Sequence, residues 1–384
     1  MAETIFGINE EQQAFKESIK RAVREQLAPH ALEMDRTDKL HETVLPLLHH
    51  LGVLTMCHPE ANDGPGFDPV ACCIATEAIA SASPAVAVMT VANWATINVL
   101  NARPSKVTAN FLARWVGAPI VGSYCLTEPR GGSDASHLET TAVLKGDRYV
   151  INGTKCYITN GGTASVYVIV ATTDRAFGSR GLTAFVTDAA SPGLAITRLE
   201  DKMGTRGCPL AEVTLTDLEV PVDHLIGEEG QGLSLAMESQ NVSRVTLAAA
   251  CVGLAQAALD HAYDYAHQRI QFGQPISEFQ GLQFRFADMA TKIEAARSLV
   301  YRTAHVIQSE GQGSINARRL AAMSKLYASD VAMSVTVDAV QMFGGAGYIK
   351  GNPCEMLMRD AKVFQIFAGT NEIQRRTIFK SWAR

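Results

Sequence analysis

Ten histidines, eight cysteines and two glycine clusters are the features of this 384-residue chain whose residue types could ligate a metal, attack a substrate or cradle a phosphate. The cysteines, Cys57, Cys72, Cys73, Cys125, Cys156, Cys208, Cys251 and Cys354, include no pair at metal spacing and have no histidine partner at such spacing. They read as reduced, buried small hydrophobes. No histidine pair forms a metalloprotease-type helix motif, and the adjacent His49 and His50 must point in different directions in a helix or a strand. No metal is expected. No G-x-G-x-x-G follows a strand and no G-x-x-x-x-G-K-[ST] occurs, so the usual dinucleotide and phosphate cradles are missing. That leaves Gly131-Gly132 and Gly344-Gly345-Ala346-Gly347, each of which, taken alone, marks a turn or a helix boundary.

The charge balance, 34 Lys and Arg against 39 Asp and Glu for a net −5, offers no field for nucleic acid or an acidic membrane. The opening MAETIFGINEEQQ carries acids where a signal peptide needs basic residues and an apolar run. The apolar stretch from Ala85 to Leu100 is interrupted by Thr90, Asn93 and Thr96, so no membrane span is expected and the protein is expected to be cytoplasmic.

The elements that must position any site change character along the chain. Phe15, Ile19, Val23 and Leu27 recur every four residues before Pro29, which predicts a helix over residues 8–28. Helical patterning continues to about residue 118, broken by a loop around Asn62, Gly64, Pro65, Gly66 and Pro69. Between about 120 and 225 the period shortens and β-branched residues dominate, as in Ser165–Ala171 and Leu182–Val186. Asn152-Gly153, between two such runs, predicts a hairpin turn. After Gly227, Gly230 and Gly232 the helical period returns, clearest at Leu282, Phe286, Met289, Ile293, Ala296 and Val300. The expected organisation is an N-terminal helical domain over 1–119, a central β domain over 120–230 and a C-terminal helical bundle over 231–384.

Four segments, taken in order, resemble the acyl-CoA dehydrogenase flavoprotein family. They are Tyr124-Cys-Leu-Thr-Glu-Pro-Arg-Gly-Gly-Ser-Asp-Ala135, Tyr157-Ile-Thr-Asn-Gly-Gly162 with Tyr for the family's usual Trp, and Arg269-Ile-Gln-Phe-Gly273 leading to Phe279-Gln280. The fourth joins Gln341-Met-Phe-Gly-Gly-Ala-Gly-Tyr348 to Met358-Arg-Asp-Ala361 and Ala368-Gly-Thr-Asn-Glu-Ile-Gln374. The resemblance implies an α+β multidomain fold with a central β-barrel and a C-terminal four-helix bundle. It also implies FAD between barrel and bundle, a neighbouring subunit completing the site, a homotetramer, and an electron-transferring flavoprotein as electron acceptor.

Carried over residue by residue, the resemblance implies that Tyr124, Leu126, Thr127 and Ser133 bond the flavin edge, where polar groups tune its ability to take hydride. Tyr157, Ile158 and Thr159 would form the platform beneath the ring. Arg269 and Gln271 would hold the pyrophosphate, flanked by Phe272 and Gln280. Gln341, Gly344 and Gly345 would approach the adenosine half, with Thr370, Asn371 and Glu372 capping the site. Ser133, Ser179, Asn241, Arg244 and Gly369 would lie along the acyl-CoA groove. Arg130 stands where relatives have a small residue, as a solvated loop charge or as a contact to a CoA phosphate or an acidic acyl tail.

The chain departs from the family pattern where dehydrogenation needs a carboxylate to remove the α-proton while the β-hydride leaves. One family position for that Glu is Ala368 here, and the alternative position on a bundle helix is Ser243, whose hydroxyl is far too weak a base without an activating partner. The leading reading is an FAD-dependent oxidoreductase acting at Cα–Cβ of an acyl-CoA with both usual Glu positions replaced; a carboxylate from elsewhere could serve, but Glu238, the nearest in sequence, lies roughly 140° around a helix from Ser243. The alternatives are a base-free, desulfinase-like acyl-CoA lyase, a non-catalytic partner subunit of a hetero-oligomeric dehydrogenase, and an enoyl-CoA reductase.

Overall fold

The computed structural model describes residues 7–62 and 64–382. The first helix, α1 (Glu10–Ala22), starts where Asn9 and Gln12 exchange hydrogen bonds between each side chain and the other's backbone N–H. Its run continues through one π turn, Val23–Leu27, and ends over Pro29, which has no N–H to donate. Ile19, Val23 and Leu27 are buried. Short α2 (Ala31–Thr37) and α3 (Val44–His50) follow, then α4 (Pro69–Ala82), α5 (Pro84–Ala102) and α6 (Lys106–Gly117). Helices α4 and α5 each open on a proline behind a capping side chain, Asp68 and Ser83. The polar interruptions of α5 all find partners. Thr90 and Thr96 donate to carbonyls one turn back, and Asn93 donates to Leu54 O and accepts from Trp115 Nε1 and Gly122 N.

Strands β1 (Gly122–Cys125), β2 (Thr141–Lys145), β3 (Arg148–Thr159), β4 (Val166–Thr172), β5 (Leu182–Asp188), β6 (Leu194–Leu199), β7 (Leu210–Pro221) and β8 (Leu225–Ile226) form one mixed sheet. Its order is β6-β7-β3-β2-β4-β5-β8, with β1 parallel to β4. It curls around its own core of Tyr149, Ile151, Tyr167, Ile169, Phe185 and Val213.

The expected hairpin turn at Asn152-Gly153 is not there. Strand β3 runs straight through it, and the β2–β3 reversal lies at Gly146-Asp147. Asn152-Gly153 instead lies opposite a bulge in β7, where Thr216 and Asp217 together face Asn152. Gly153 has φ 154°, and a Cβ there would sit 2.4 Å from the Thr140 hydroxyl, while Asn152 exchanges hydrogen bonds with Asp217 across the ladder. The glycine answers to a close approach rather than to a turn.

The long central helix α7 (Gly232–Gln268) leads through the ribbon β9 (Ile270–Gln271) and β10 (Gln274–Pro275) to α8 (Gln280–Glu310), α9 (Ile315–Phe343), α10 (Pro353–Val363) and α11 (Asn371–Lys380). Helices α5 and α7 are long and apolar enough to cross a membrane, but their apolar stretches are 72% and 89% buried within the protein. Helix α7 packs against α4, α5, α8 and α9. On α8, Met289, Ile293, Ala296 and Val300 are buried and Leu282 and Phe286 half-buried, the larger side chains each contributing about 1.5–3 kcal/mol. All eight cysteines are free and buried.

Candidate functional site

The Tyr124–Ser133 segment leaves the end of β1 as a tight loop. The backbones of Glu128 and Gly131 bond each other in both directions. A buried ion pair pins it from below, with Lys155 Nζ 2.6 Å from Glu128 Oε1 and also donating to Leu126 O. Burial alone would raise the Glu128 carboxyl, yet the Lys155 ammonium and the Glu139 and Thr140 amides hold it below the ordinary range. Thr127 O accepts from Cys156 N. With these carbonyls and the Glu128 and Gly131 N–H groups engaged, the Leu126 and Thr127 N–H groups and the Thr127 hydroxyl are the groups left for a flavin. Ser133 is exposed at the loop's end, and the buried Tyr124 hydroxyl has no hydrogen-bond partner among the described residues.

Strand β3 presents the second motif through a bulge. Its register against β7 slips between Lys155 and Ile158, which lets both of those point inward while Tyr157, at φ 56°, turns out to 62% exposure. Thr159 is half-buried, and its carbonyl accepts from the Ser123 hydroxyl.

Arg269, Gln271 and Phe272 are exposed on the β9–β10 ribbon. Phe272 is 94% exposed at φ 53°, next to Gly273 at φ 84°. An aromatic side chain held in left-handed backbone and pointed into solvent is a feature that sheet stability does not require. Gln280 is exposed at the start of α8, and Gln341 is exposed near the end of α9. Gly344 takes φ 59° as that helix's cap, and neither Gly344 nor Gly345 would bring a Cβ within 4 Å of anything. Gly344 answers to its backbone conformation, and Gly345 stands in open space among the described residues.

The capping trio divides. Thr370 is the N-cap of α11 and Glu372 is exposed, but Asn371 is only 4% exposed. Its amide donates to Ser329 and Asp330 and its oxygen accepts from Lys325 Nζ. The Asn371 side chain is thus turned into the bundle, while the residue itself borders a cavity beside Thr370 and Glu372.

Ala368 and Gly369 form a turn in which both residues are left-handed, φ 51° and 84°. For Ala368 that costs about 1 kcal/mol. The turn is held by Gln374 Nε2, which donates to both carbonyls, and by Lys325 Nζ, 2.9 Å from Gly369 O. Burial pushes the Lys325 ammonium down to about 8, with the like charge of Arg244 adding to the fall. On α7, the Ser243 hydroxyl donates to Ser239 O and is otherwise unengaged. Asn241 is also occupied, donating to Gln312 O and accepting from Arg244. Arg244 is 6% exposed, gives NH1 to Asn241 and NH2 to Gln240, and has a buried Nε–H with no partner among the described residues. Burial lowers it to about 10.

Glu238 does not join this group. It pairs with Arg103 at 3.6 Å, both side chains more than a third exposed. Ser179 is half-buried in the β4–β5 connection, and Arg130 pairs with Glu139 in solvent. The buried acids among the described residues are Glu77, engaged by Arg297 and Tyr301, Glu128, and Asp360. Asp360 accepts from Thr205 N, and burial pushes its carboxyl up to about 7. His30, Glu33 and His41 gather within metal-ligand range of one another. The two imidazoles stack at 3.7 Å and 16°, so their in-plane lone pairs run side by side rather than converging on an ion.

Two adjoining cavities flank the Ala368–Gly369 turn through Phe367 on one side and Thr370 on the other. One of about 190 Å³ is lined by Val88, Thr159, Met203, Thr205 and Phe367. The other, about 350 Å³, is lined by Asp330, Gln365, Thr370, Glu372 and Arg375, and Lys362 and Ile366 belong to both.

The sequence matches the domains described as acyl-CoA dehydrogenase N-terminal, middle and C-terminal over residues 9–107, 123–218 and 230–382. The chain belongs to the acyl-CoA dehydrogenase family. It is 39% identical over 375 residues to an acyl-CoA dehydrogenase of Bacillus subtilis, covering 97% of this chain and 98% of that one. It is 40% identical to a cyclohexane-1-carbonyl-CoA dehydrogenase of Geobacter metallireducens, with the same coverage. The structure of butyryl-CoA dehydrogenase from Megasphaera elsdenii superposes with a TM-score of 0.94 at 36% identity, covering 99% of this chain and 100% of that one.

This acyl-CoA dehydrogenase family member is accordingly an oxidoreductase of acyl-CoA with FAD as cofactor. Its residues fit that group. The Tyr124 hydroxyl has no hydrogen-bond partner among the described residues, Tyr157 and Phe272 are turned outward with only an edge contact from Phe279 on the latter, and the end of α9 is open. Lys325 and Gln374, which fix the Ala368–Gly369 turn, escaped sequence reasoning. Lys325 lies 44 residues before Gly369, and a lone lysine in a helix carries no signal of its own.

Proposed function

We propose that this family member oxidises its thioester at Cα–Cβ without a side-chain base at either position used by its relatives. The observation that carries this is the paired vacancy at Ala368 and Ser243. The Ala368–Gly369 turn is held by Lys325 and Gln374 yet ends in a methyl group, and the Ser243 hydroxyl is committed to its own helix. Bound FAD supplies the two-electron acceptor. The chain's part is to hold the flavin edge with the Leu126–Ser133 loop, to support the ring with Tyr157, and to fix the thioester beside Gly369 and Arg244. Exposed apolar side chains on the bundle, Ile270, Phe272, Phe284, Tyr348 and Phe379, support association of several copies, with the ribbon serving a neighbour's cofactor. Electrons leave to an electron-transferring flavoprotein, and the protein works in the cytoplasm.

The test is anaerobic mixing of the purified yellow protein with a panel of saturated and carboxylated acyl-CoA esters, following the flavin's visible absorbance. Bleaching by any member establishes hydride removal. Persistent oxidised flavin with every tightly bound ester would overturn the oxidoreductase reading in favour of a lyase or a supporting subunit.

A further inference from the structure

Three cations are buried among the described residues, Lys155, Arg244 and Lys325. Lys155 has Glu128, just as the half-buried Arg297 has Glu77 and Arg359 has Asp35 and Glu355. Arg244 and Lys325 differ: neither has a carboxylate within ion-pair distance among the described residues. They are close enough to repel each other, and Asp330 and Glu372 act on Lys325 only from farther away. Arg244 also carries a buried Nε–H that donates to nothing. A buried guanidinium served only by two amides, with one donor idle, is short of an anion. The shortage lies at Ser243 and the Ala368–Gly369 turn, where a methyl and a committed hydroxyl stand instead of a carboxylate.

We propose that the substrate brings the missing anion: a 2-carboxyacyl-CoA whose α-carboxylate takes the free Nε–H of Arg244, with Lys325 behind it. This rests on the reading above that the thioester lies beside Gly369 with no enzyme base. Such a substrate needs no base. The bond from Cα to the carboxylate breaks, CO2 departs, and the electron pair remains on Cα as the thioester enolate. That pair then closes the Cα=Cβ bond as the β-hydride leaves to oxidised flavin, the two-electron acceptor, and no proton is removed. The products are CO2, an enoyl-CoA and reduced flavin. With NH1 and NH2 already engaged, Arg244 holds the carboxylate by one contact rather than a two-pronged clamp, so it locates the group without locking it. The negative charge passes from carboxylate to enolate within the field of the same two cations.

The experiment compares ethylmalonyl-CoA, succinyl-CoA and butyryl-CoA on the flavin-loaded protein, measuring Kd by calorimetry and trapping released CO2. Ethylmalonyl-CoA and butyryl-CoA share a four-carbon chain and differ by the α-carboxylate. Ethylmalonyl-CoA is expected to bind at least about tenfold more tightly than butyryl-CoA. It should also release CO2 in step with flavin bleaching. Arg244→Gln should weaken ethylmalonyl-CoA much more than butyryl-CoA and so remove the binding advantage, and Arg244→Lys should restore part of it. Equal affinity for the two esters, or equal losses for both in Arg244→Gln, would mean that an ordered water satisfies Arg244 and would overturn the proposal. A preference for succinyl-CoA would overturn the α-placement. Should neither variant fold, the wild-type comparison still decides. Failure of all three esters to bind would instead sink the acyl-CoA placement on which the proposal rests.

Discussion

Two buried lysines, Lys155 and Lys325, show what burial of a cation is for in this protein. Lys155 meets Glu128 at 2.6 Å, and the pair, with two further amides on the carboxylate, clamps the loop that follows β1. Lys325 meets only neutral oxygens, Gly369 O and Asn371 Oδ1, and has Arg244 nearby. The first arrangement is electrically closed and can only be structural. The second is open by one negative charge, and an open charge inside a protein is a cost that natural sequences keep where a ligand or a reaction removes it.

The comparison is broken most directly by closing the second region. Ala368→Glu puts a carboxylate on a turn already fixed by Lys325 and Gln374, and should raise turnover of butyryl-CoA by about 10² to 10⁴, read as the rate of flavin bleaching. The same change should weaken ethylmalonyl-CoA binding, because the anion's place is filled. Opening the first region should be nearly as large in free energy. Glu128→Gln strands a buried ammonium and should cost about 3–5 kcal/mol in urea unfolding. Pairing it with Lys155→Met should recover most of that loss.

A smaller effect concerns Asp360, a buried carboxyl whose acid form is favoured by burial. Its folded value is pushed up to about 7 from an ordinary 3.8, so between these values the unfolded chain ionises and the folded protein does not. Stability contributed by this group is full below pH 4, falls as pH rises toward 7, and stays reduced above. Asp360→Asn keeps an oxygen for Thr205 N and should raise Tm at pH 8 by about 2 °C or more in calorimetry, with little change at pH 4. The smallest effect is expected at Arg244. Removing an unpaired buried charge with Arg244→Met should leave stability within about 1 kcal/mol of wild type, in contrast to Glu128→Gln. A loss as large as that of Glu128→Gln would show that Arg244 is structural after all.

Much of the site was legible because its signals are local. The Tyr124–Ser133 loop, the Tyr157 bulge and the Phe272-Gly273 ribbon are contiguous segments whose residue types and order survive any detail of packing. The helix–sheet–helix order was legible for the same reason, since hydrophobic period depends on near neighbours. Errors arose where one residue type serves two geometries. Asn152-Gly153 has turn chemistry, but its glycine answers to Thr140 on a neighbouring segment.

The sequence by itself determined the order of elements and the family motifs, because each is a property of residues adjacent in the chain. The tertiary structure alone decided that Lys325 reaches Gly369, that Asn241 and Asn371 are spent on internal bonds, and that Arg244 keeps a buried donor without an acceptor. These depend on which atoms of distant segments come within about 3 Å, and hydrogen bonding and desolvation act only at that range.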